Sequence, residues 1–494
     1  MQVVHTCGVT TRTYTQLQEI IDAAIRGELD EAQAQQLARV DAELLALALI
    51  AASKHIAEQE ARLGRGEHWS ADRPSPSTPS GMVPVYAKAN ASQRRKKPGA
   101  RNGHQGVRRQ RPVKIDQRQT HRLKCCPHCA GRLQRCDRRR TRIIEDIPEI
   151  IEPVVTEHTI HRDYCPACKK HVEPVVPDAM PHAVLGHQVI ALTSWFHYGL
   201  GLTLDQVVDI LGYHMQTKLS AGGLVDAWRR LAEVLEPWYE QIAQEAKQSA
   251  HLHADETGWR VNGQTQWLWC FTNDRNCYYM IDRSRGSPAL QQFFTDEFAG
   301  VLITDFWSAY ASVCAEDRQY CLVHLLRELE KVDEHNDSVE WQAFARKLRR
   351  LLRDGIRLRK RSDFAVGAFP DRIERLNKRL AELAAAEPID GDTRRLTMRL
   401  RKYAEHLFTF LDYDHVAFEN NFAERMIRPA VILRKNSQSN RSEQGAATQA
   451  VLMSIYRTLK LRGLDPTKTI AETLKTYLTT SQLPPLPQQT TANG

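Results

Sequence analysis

Three short runs rich in aromatic and β-branched residues follow one another from residue 250, with only turn residues between them: LHADETGWRV, TQWLWCFTND and NCYYMIDRS. Runs of this length and texture read as three sequential strands. A helical stretch, SPALQQFFTDEF, comes next, then a strand VLITD, a further helix, and a strand around QYCLV. The order β-β-β-α-β-α-β specifies a mixed α/β sheet. Residues 326–402 turn almost wholly helical and charged, and read as an insertion into that sheet domain. A last helical region starts near His415, breaks at Pro429 and resumes toward Lys460, and the tail QLPPLPQQTTANG reads as disordered.

Acidic residues stand inside this sheet pattern. Asp255 falls mid-strand in LHADETGW, on the same face as Thr257, whereas Glu256 points away. Asp305 ends the apolar strand VLITD, where loops begin. Glu424 lies in FENNFAERMIRP, with Asn420, Asn421 and Arg428 at helical spacing around it. Aspartates in strongly apolar strands cost desolvation unless something pairs them. Hydrolysis and transfer of phosphodiesters need two divalent cations held by converging carboxylates, and Mg²⁺ takes hard oxygen ligands. A solvated carboxylate or a salt-bridge partner is the plainer account of each acid alone; the three contexts together favour a metal site. Trp259, Trp267 and Trp269 read as core rather than as platforms for bases.

At 494 residues the chain is too long for one compact domain. Its net charge of +9 is unevenly spread: Lys88 to Lys124 hold thirteen Lys or Arg and one acid, Asp116, a local balance of +12 that leaves the remainder at −3. A basic, turn-rich segment on a nearly neutral body points to a polyanionic partner, with Arg94, Arg95, Lys96, Lys97, Arg108 and Arg109 as phosphate contacts; a solvated spacer is the alternative. Before it, Leu37, Val40, Leu44, Leu47 and Ala51 make an apolar seam, either a short dimerising coiled coil or a helix packed on its own chain. Helices at Leu204 to Leu211 and Ala221 to Leu231 flank the turn GYHMQ, either as a helix-turn-helix that enters the major groove or as a packing unit. No apolar leader or membrane span is visible, so a cytoplasmic, nucleoid-associated protein is expected. In a reducing compartment, eleven cysteines argue for metal ligation or burial. Cys126-Pro-His-Cys129 and Cys165-Pro-Ala-Cys168 are two CxxC pairs, which together supply four thiolates to one structural Zn²⁺.

The stretches DETGWRV, WLWCF, TDFWSAY, CLVHLLREL, ENNFAERMIRPAVILRKN and LKLRGLDP, in this order, resemble bacterial DDE transposases of insertion sequence family 66. The resemblance covers roughly residues 13–475, including the zipper-like helix, the KPG…GHQG linker and the CxxC…CxxC module. It departs after the RKN segment, where SQSNRSEQGAAT replaces a phenylalanine- and glycine-rich continuation. The resemblance implies an RNase H-like fold whose catalytic, magnesium-binding triad is Asp255, Asp305 and Glu424, with two Mg²⁺ ions or Mn²⁺ in their place. It also implies cleavage of the element's DNA ends and their transfer into target DNA. A homo-oligomer, at least a dimer, and accessory proteins encoded by the element are the expected partners. His324, in the family's Cys321-x-x-His324 pair, is a candidate for phosphate contact or proton transfer, against burial beside the core strand. Arg327, Arg425 and Arg428, with Asn420 and Asn421, are the further DNA-binding candidates. The run Arg346 to Asp363, nine basic residues and two acids, contacts DNA or forms a solvated helix face.

The expected architecture is therefore multidomain α/β. A helical segment (1–69), a basic linker (70–124), a zinc-binding domain (125–180) and a helical, helix-turn-helix-like domain (181–249) precede a sheet core (250–325 and 403–440) split by the helical insertion (326–402), and a helical region with its tail (441–494) closes the chain. Two other functions fit less of the pattern: a domesticated DNA-binding protein without catalysis, and an RNase H-like nuclease that cuts without joining.

Overall fold

Two ribbon strands, β1 (Asp163–Cys165) and β2 (Lys170–Val172), precede a five-stranded sheet built from β3 (His251–Val261), β4 (Gln264–Thr272), β5 (Cys277–Asp282), β6 (Phe298–Thr304) and β7 (Ala315–Tyr320). The structure is a computed structural model and describes residues 112, 114–134, 141–148, 151–181 and 183–488. The expected N-terminal seam, the linker cations Arg94, Arg95, Lys96, Lys97, Arg108 and Arg109, and the last six residues of the tail lie outside the described residues.

Sheet order is β5-β4-β3-β6-β7. β3, β4 and β5 pair antiparallel as a meander, because Asn262 and Gly263, both at positive φ, turn β3 directly into β4. β6 joins β3 in parallel, and β7 joins β6 in parallel. The run SPALQQFFTDEF is helical only over its first part, and β7 ends at Tyr320, where the expected strand residues Cys321 and Leu322 already start the next helix. A five-stranded mixed sheet of this order, with helices on both faces, fits an RNase H-like core.

The helices are α1 (His187–Ser194), α2 (Leu204–His214), α3 (Ala221–Lys247), α4 (Ser287–Phe293), α5 (Leu322–Val332), α6 (Val339–Arg359), α7 (Pro370–Ala385), α8 (Gly391–Tyr403), α9 (Asn421–Ser437), α10 (Glu443–Leu461) and α11 (Pro466–Thr480). One sheet face, with Trp259, Leu268, Cys270 and Tyr279, packs into a core shared by α3, α9 and α10. The other, with Leu252, Ala254, Trp269, Phe271 and Met280, packs on α4 and Tyr310. β3 is thus covered on both sides, which is why its side chains are buried almost without alternation. Trp259 and Trp269 are core residues, as expected. Helices α6 to α8 build an apolar cluster around Trp341, Leu348, Leu352 and Leu396 that continues into Val301 and Ile303 of β6 and Leu325 and Leu329 of α5. They are tied back to α5 by buried Glu328, which accepts from Arg395 and Arg399 of α8.

Two expectations are corrected. The helix after the insertion starts at Asn421 and continues through Pro429 to Ser437, because α9 is held by packing of Ala423, Ile427, Ala430 and Leu433 along its whole length. The tail segment up to Gln488 is bound to the core: Leu486 is 2% exposed, Trp238 Nε1 donates to the Pro484 carbonyl, and Arg462 donates to the Pro487 carbonyl. Helix α3 also runs well past Leu231. Its apolar stripe lies in the core, and Arg229 on its outer side is tied to Asp226 and Glu233.

Candidate active site

The three expected carboxylates come from three elements that meet at the centre of the sheet. Asp255 projects from β3 toward the face covered by α9, and its Oδ1 accepts the Glu256 N–H (3.0 Å). Asp305 directly follows β6, and its Oδ1 caps the turn by accepting the Trp307 N–H (2.8 Å). Glu424 sits in the first turn of α9, where the helix N-terminus favours an anion. Burial, followed by repulsion from Glu256, Asp305 and Glu424, holds the Asp255 carboxyl well above the usual carboxylate range. Burial, with repulsion from Glu424, also raises Asp305, against the opposing pull of Arg285 and Arg399. Two buried aspartates remote in sequence thus each feel the charge of the partly exposed Glu424.

Glu424 is held from the outer side by α5. His324 Nε2 lies 3.4 Å and Arg327 Nη1 3.3 Å from its Oε1, one turn apart on that helix. Burial lowers the His324 pKa against the opposing pull of Glu424, and its Nδ1 is buried without a hydrogen-bond partner. Arg425 and Arg428 are exposed on α9 beside Glu424, and Asn421 is half-buried. Asn420 departs from expectation. It is 1% exposed, too buried to touch DNA, because its groups are used internally: Nδ2 donates to the Ala254 carbonyl (2.8 Å), Oδ1 accepts from His253 Nδ1 (2.9 Å), and its N–H donates to Cys321 Sγ (3.2 Å). These bonds lock the start of α9 against β3, one residue before Asp255.

Glu256 is the site residue that sequence reasoning set aside. It does face away from Asp255, but in a central strand the opposite face is equally enclosed. Its side chain is 2% exposed, paired with Arg285 (2.9 Å), and accepts the Tyr310 hydroxyl (2.6 Å). Burial, then Asp305, pushes its carboxyl up to about 7. Arg285 is sandwiched between Trp307 (4.0 Å) and Trp267 (4.6 Å), and its carbonyl accepts from Trp307 Nε1 (3.2 Å). The clamp thereby fixes the loop that carries Asp305 to the strand that carries Asp255. The signal available in the sequence was the pair of acids in DET within an otherwise apolar strand.

Residues 182–448 match the family model described as Transposase IS66 family, a stretch that contains all three carboxylates, Glu256, Arg285, His324 and Asn420. The chain belongs to the IS66 transposase family. Its relatives include three uncharacterized proteins of Sinorhizobium fredii. The chain is 23% identical to y4jD over 403 residues (71% of this chain, 74% of the relative), and 22% identical to y4hP over 405 residues (71% and 70%). It is 27% identical to y4qI over 275 residues, 48% of this chain and 49% of that protein. Membership makes this IS66-family chain a protein that acts on DNA in transposition.

The cysteine module precedes the family match. Its two CxxC turns share one backbone feature: Ala130 and Lys169, each one residue past the second cysteine, are both left-handed (φ 56° and 54°). The Cys126 N–H donates to the Gly131 carbonyl, and the corresponding pair, Cys165 and Lys170, ends the β1–β2 ribbon. Backbone N–H groups in each turn pull the first thiol, Cys126 or Cys165, below the usual thiol range, which favours thiolates. Among the described residues, no three His, Cys, Asp or Glu side chains are gathered into a group able to hold a metal ion, at the cysteines or at the carboxylates. Among the described residues no helix is long and apolar enough to cross a membrane.

Proposed function

We propose that this IS66-family chain is a DDE transposase that cleaves the ends of its element and joins them to target DNA, with Asp255, Asp305 and Glu424 as the catalytic carboxylates. The observation that supports the reading is the convergence of their elements: Asp255 on β3, Asp305 at the end of the neighbouring β6, and Glu424 in the first turn of α9, which packs on β3. Their oxygens suit hard divalent cations, and their crowding is relieved by positive charge placed among them. When two Mg²⁺ or Mn²⁺ ions are bound by these residues, they supply activation of the attacking oxygen and stabilisation of the leaving oxygen.

The remaining roles belong to the chain. Arg327, Arg425 and Arg428 stand around Glu424 with guanidinium groups suited to the phosphates that flank the scissile bond. His324 orients the Glu424 carboxylate by directing an Nε2–H at its Oε1. The Glu256–Arg285 clamp and Asn420 hold the Asp305 loop and α9 to β3, which fixes the elements that carry the three carboxylates relative to one another. Cys126, Cys129, Cys165 and Cys168 would hold a structural Zn²⁺ as two like turns closing on one ion. Joining two element ends requires two such sites, hence at least a dimer.

The test is strand cleavage of element-end DNA. Asp255→Ala and Glu424→Ala are expected to lose at least about 100-fold in rate while still binding the same DNA. Full activity in either variant rejects the assignment. A strand-transfer assay on the wild type separates a transposase from a nuclease that only cuts.

A further inference from the structure

Helices α6 and α7 of the insertion border an open groove of about 390 Å³ lined by Arg357, Arg361, Arg372, Arg375 and Arg379, with Asp354 as the one acid in its lining. The acids of α7 outside it, Asp371, Glu374 and Glu382, do not line it. Five guanidinium groups against one carboxylate are costly to gather unless an anion shares them, and this +4 stands on a body that, without the basic linker, sums to −3. Asp354 neutralises only part of the charge, taking Arg379 (2.9 Å) and Arg357 (3.4 Å). Arg361 pairs with Asp363 on the rim (2.6 Å). Arg375 is exposed and has no carboxylate at salt-bridge distance among the described residues.

The groove is preshaped. The loop between the helices stacks Phe364 on Phe369 (6.1 Å), and Arg361 and Arg372 lie over the Phe369 ring (5.4 and 5.5 Å). Packing on the ring restrains both side chains, which lowers the conformational cost of binding, although the Arg361 N–H groups already donate to Asp363. Arg372, Arg375 and Arg379 follow at i, i+3 and i+7 along α7, a row about 10 Å long. A single phosphate would meet only part of such a row, whereas successive phosphates of one DNA strand can meet all of it.

We infer that this groove of the insertion takes the sugar-phosphate backbone of DNA, outside the carboxylate site and without reading bases. The inference rests on the family's action on DNA and not on the assignment of the metal-binding acids. Its test therefore omits divalent metal. Binding of the full chain to a duplex of arbitrary sequence is measured in chelator as a function of salt, for wild type and for the combined Arg357→Ala, Arg372→Ala and Arg375→Ala variant. Every phosphate that the protein no longer neutralises flattens the slope of log affinity against log salt by about 0.9. The alanine variant is expected to be shallower by about 2 to 3, and the corresponding triple Arg→Lys variant, which keeps the charge, to stay near wild type. Melting in the same buffer confirms that both are folded. A folded alanine variant with the wild-type slope overturns the inference, as does a lysine variant whose slope is as shallow as that of the alanine one. Cleavage-defective Asp255→Ala with an unchanged slope leaves the groove standing, so the two assignments fail separately.

Discussion

At the residue scale, the site carries an unusual burden. Asp255 is enclosed beside Glu256, Asp305 and Glu424, so in the absence of cations its charge opposes folding. Asp255→Asn keeps the acceptor for the Glu256 N–H and removes one repelling charge. It is expected to stabilise the metal-free protein by roughly 1 kcal/mol, read from urea unfolding in chelator. The wild type is expected to gain about 2.7 kcal/mol from Mg²⁺ or Mn²⁺ at a hundredfold excess over its dissociation constant, and the Asn variant to gain little. A metal-free Asp255→Asn protein less stable than wild type would show that the crowding is already compensated within the chain. Neighbouring acids of DET thus divide labour: Asp255 faces the space shared with Glu424, whereas Glu256 is committed to Arg285 and Tyr310.

At the scale of elements, the decisive joint is between α9 and β3. Asn420 and Asn421 look alike in the sequence, but Asn420 alone is bonded to both elements. Asn420→Ala leaves the Ala254 carbonyl and His253 Nδ1 without partners in a buried place, a cost of roughly 2 to 3 kcal/mol. Asn421→Ala, at a half-buried position, is expected within about 0.5 kcal/mol of wild type. Unfolding curves of the two variants check this. Equal losses would mean that the amide bonds do not hold α9 in place. The insertion is an element-scale feature of the same kind: its apolar cluster is continuous with β6 and α5, and the Glu328–Arg395–Arg399 contact anchors it at α5, the helix that also carries His324 and Arg327.

At the scale of the whole molecule, buried neutral histidines set the acid limit of the fold. His197 is stacked on Trp228 (5.0 Å) and bonded to the Leu202 carbonyl, and burial lowers its pKa from 6.5 to about 4. His253 is lowered to about 4 in the same way. Because the unfolded chain takes up these protons first, both residues contribute stability above pH 6.5 that is lost as pH falls through 4. Glu256, raised from 4.5 to about 7, acts oppositely, with stability falling as pH rises over that interval. The informative quantity is therefore a difference. His197→Gln is expected to show a shallower loss of stability from pH 6.5 to 4 than wild type, measured by denaturation at each pH. Identical slopes would mean that His197 does not titrate on unfolding.

Strand texture and turn residues were enough to place β3 to β6 and to single out Asp255 and Asp305, because period, β-branching and a glycine turn are local properties that survive without the fold. The two like CxxC turns were legible for the same reason. Pro429 misled because helix propensity is a weak local term, and packing along α9 outweighs one missing hydrogen bond. The tail misled because its polar, proline-rich character conceals one leucine that finds a buried seat. Only the tertiary structure decided which acid faces which, that Asn420 is a joint and not a contact, and that arginines spread over twenty-three residues line one groove. Those facts depend on which surfaces β3, α9 and the insertion helices cover, and burial between elements distant in the chain has no local signature.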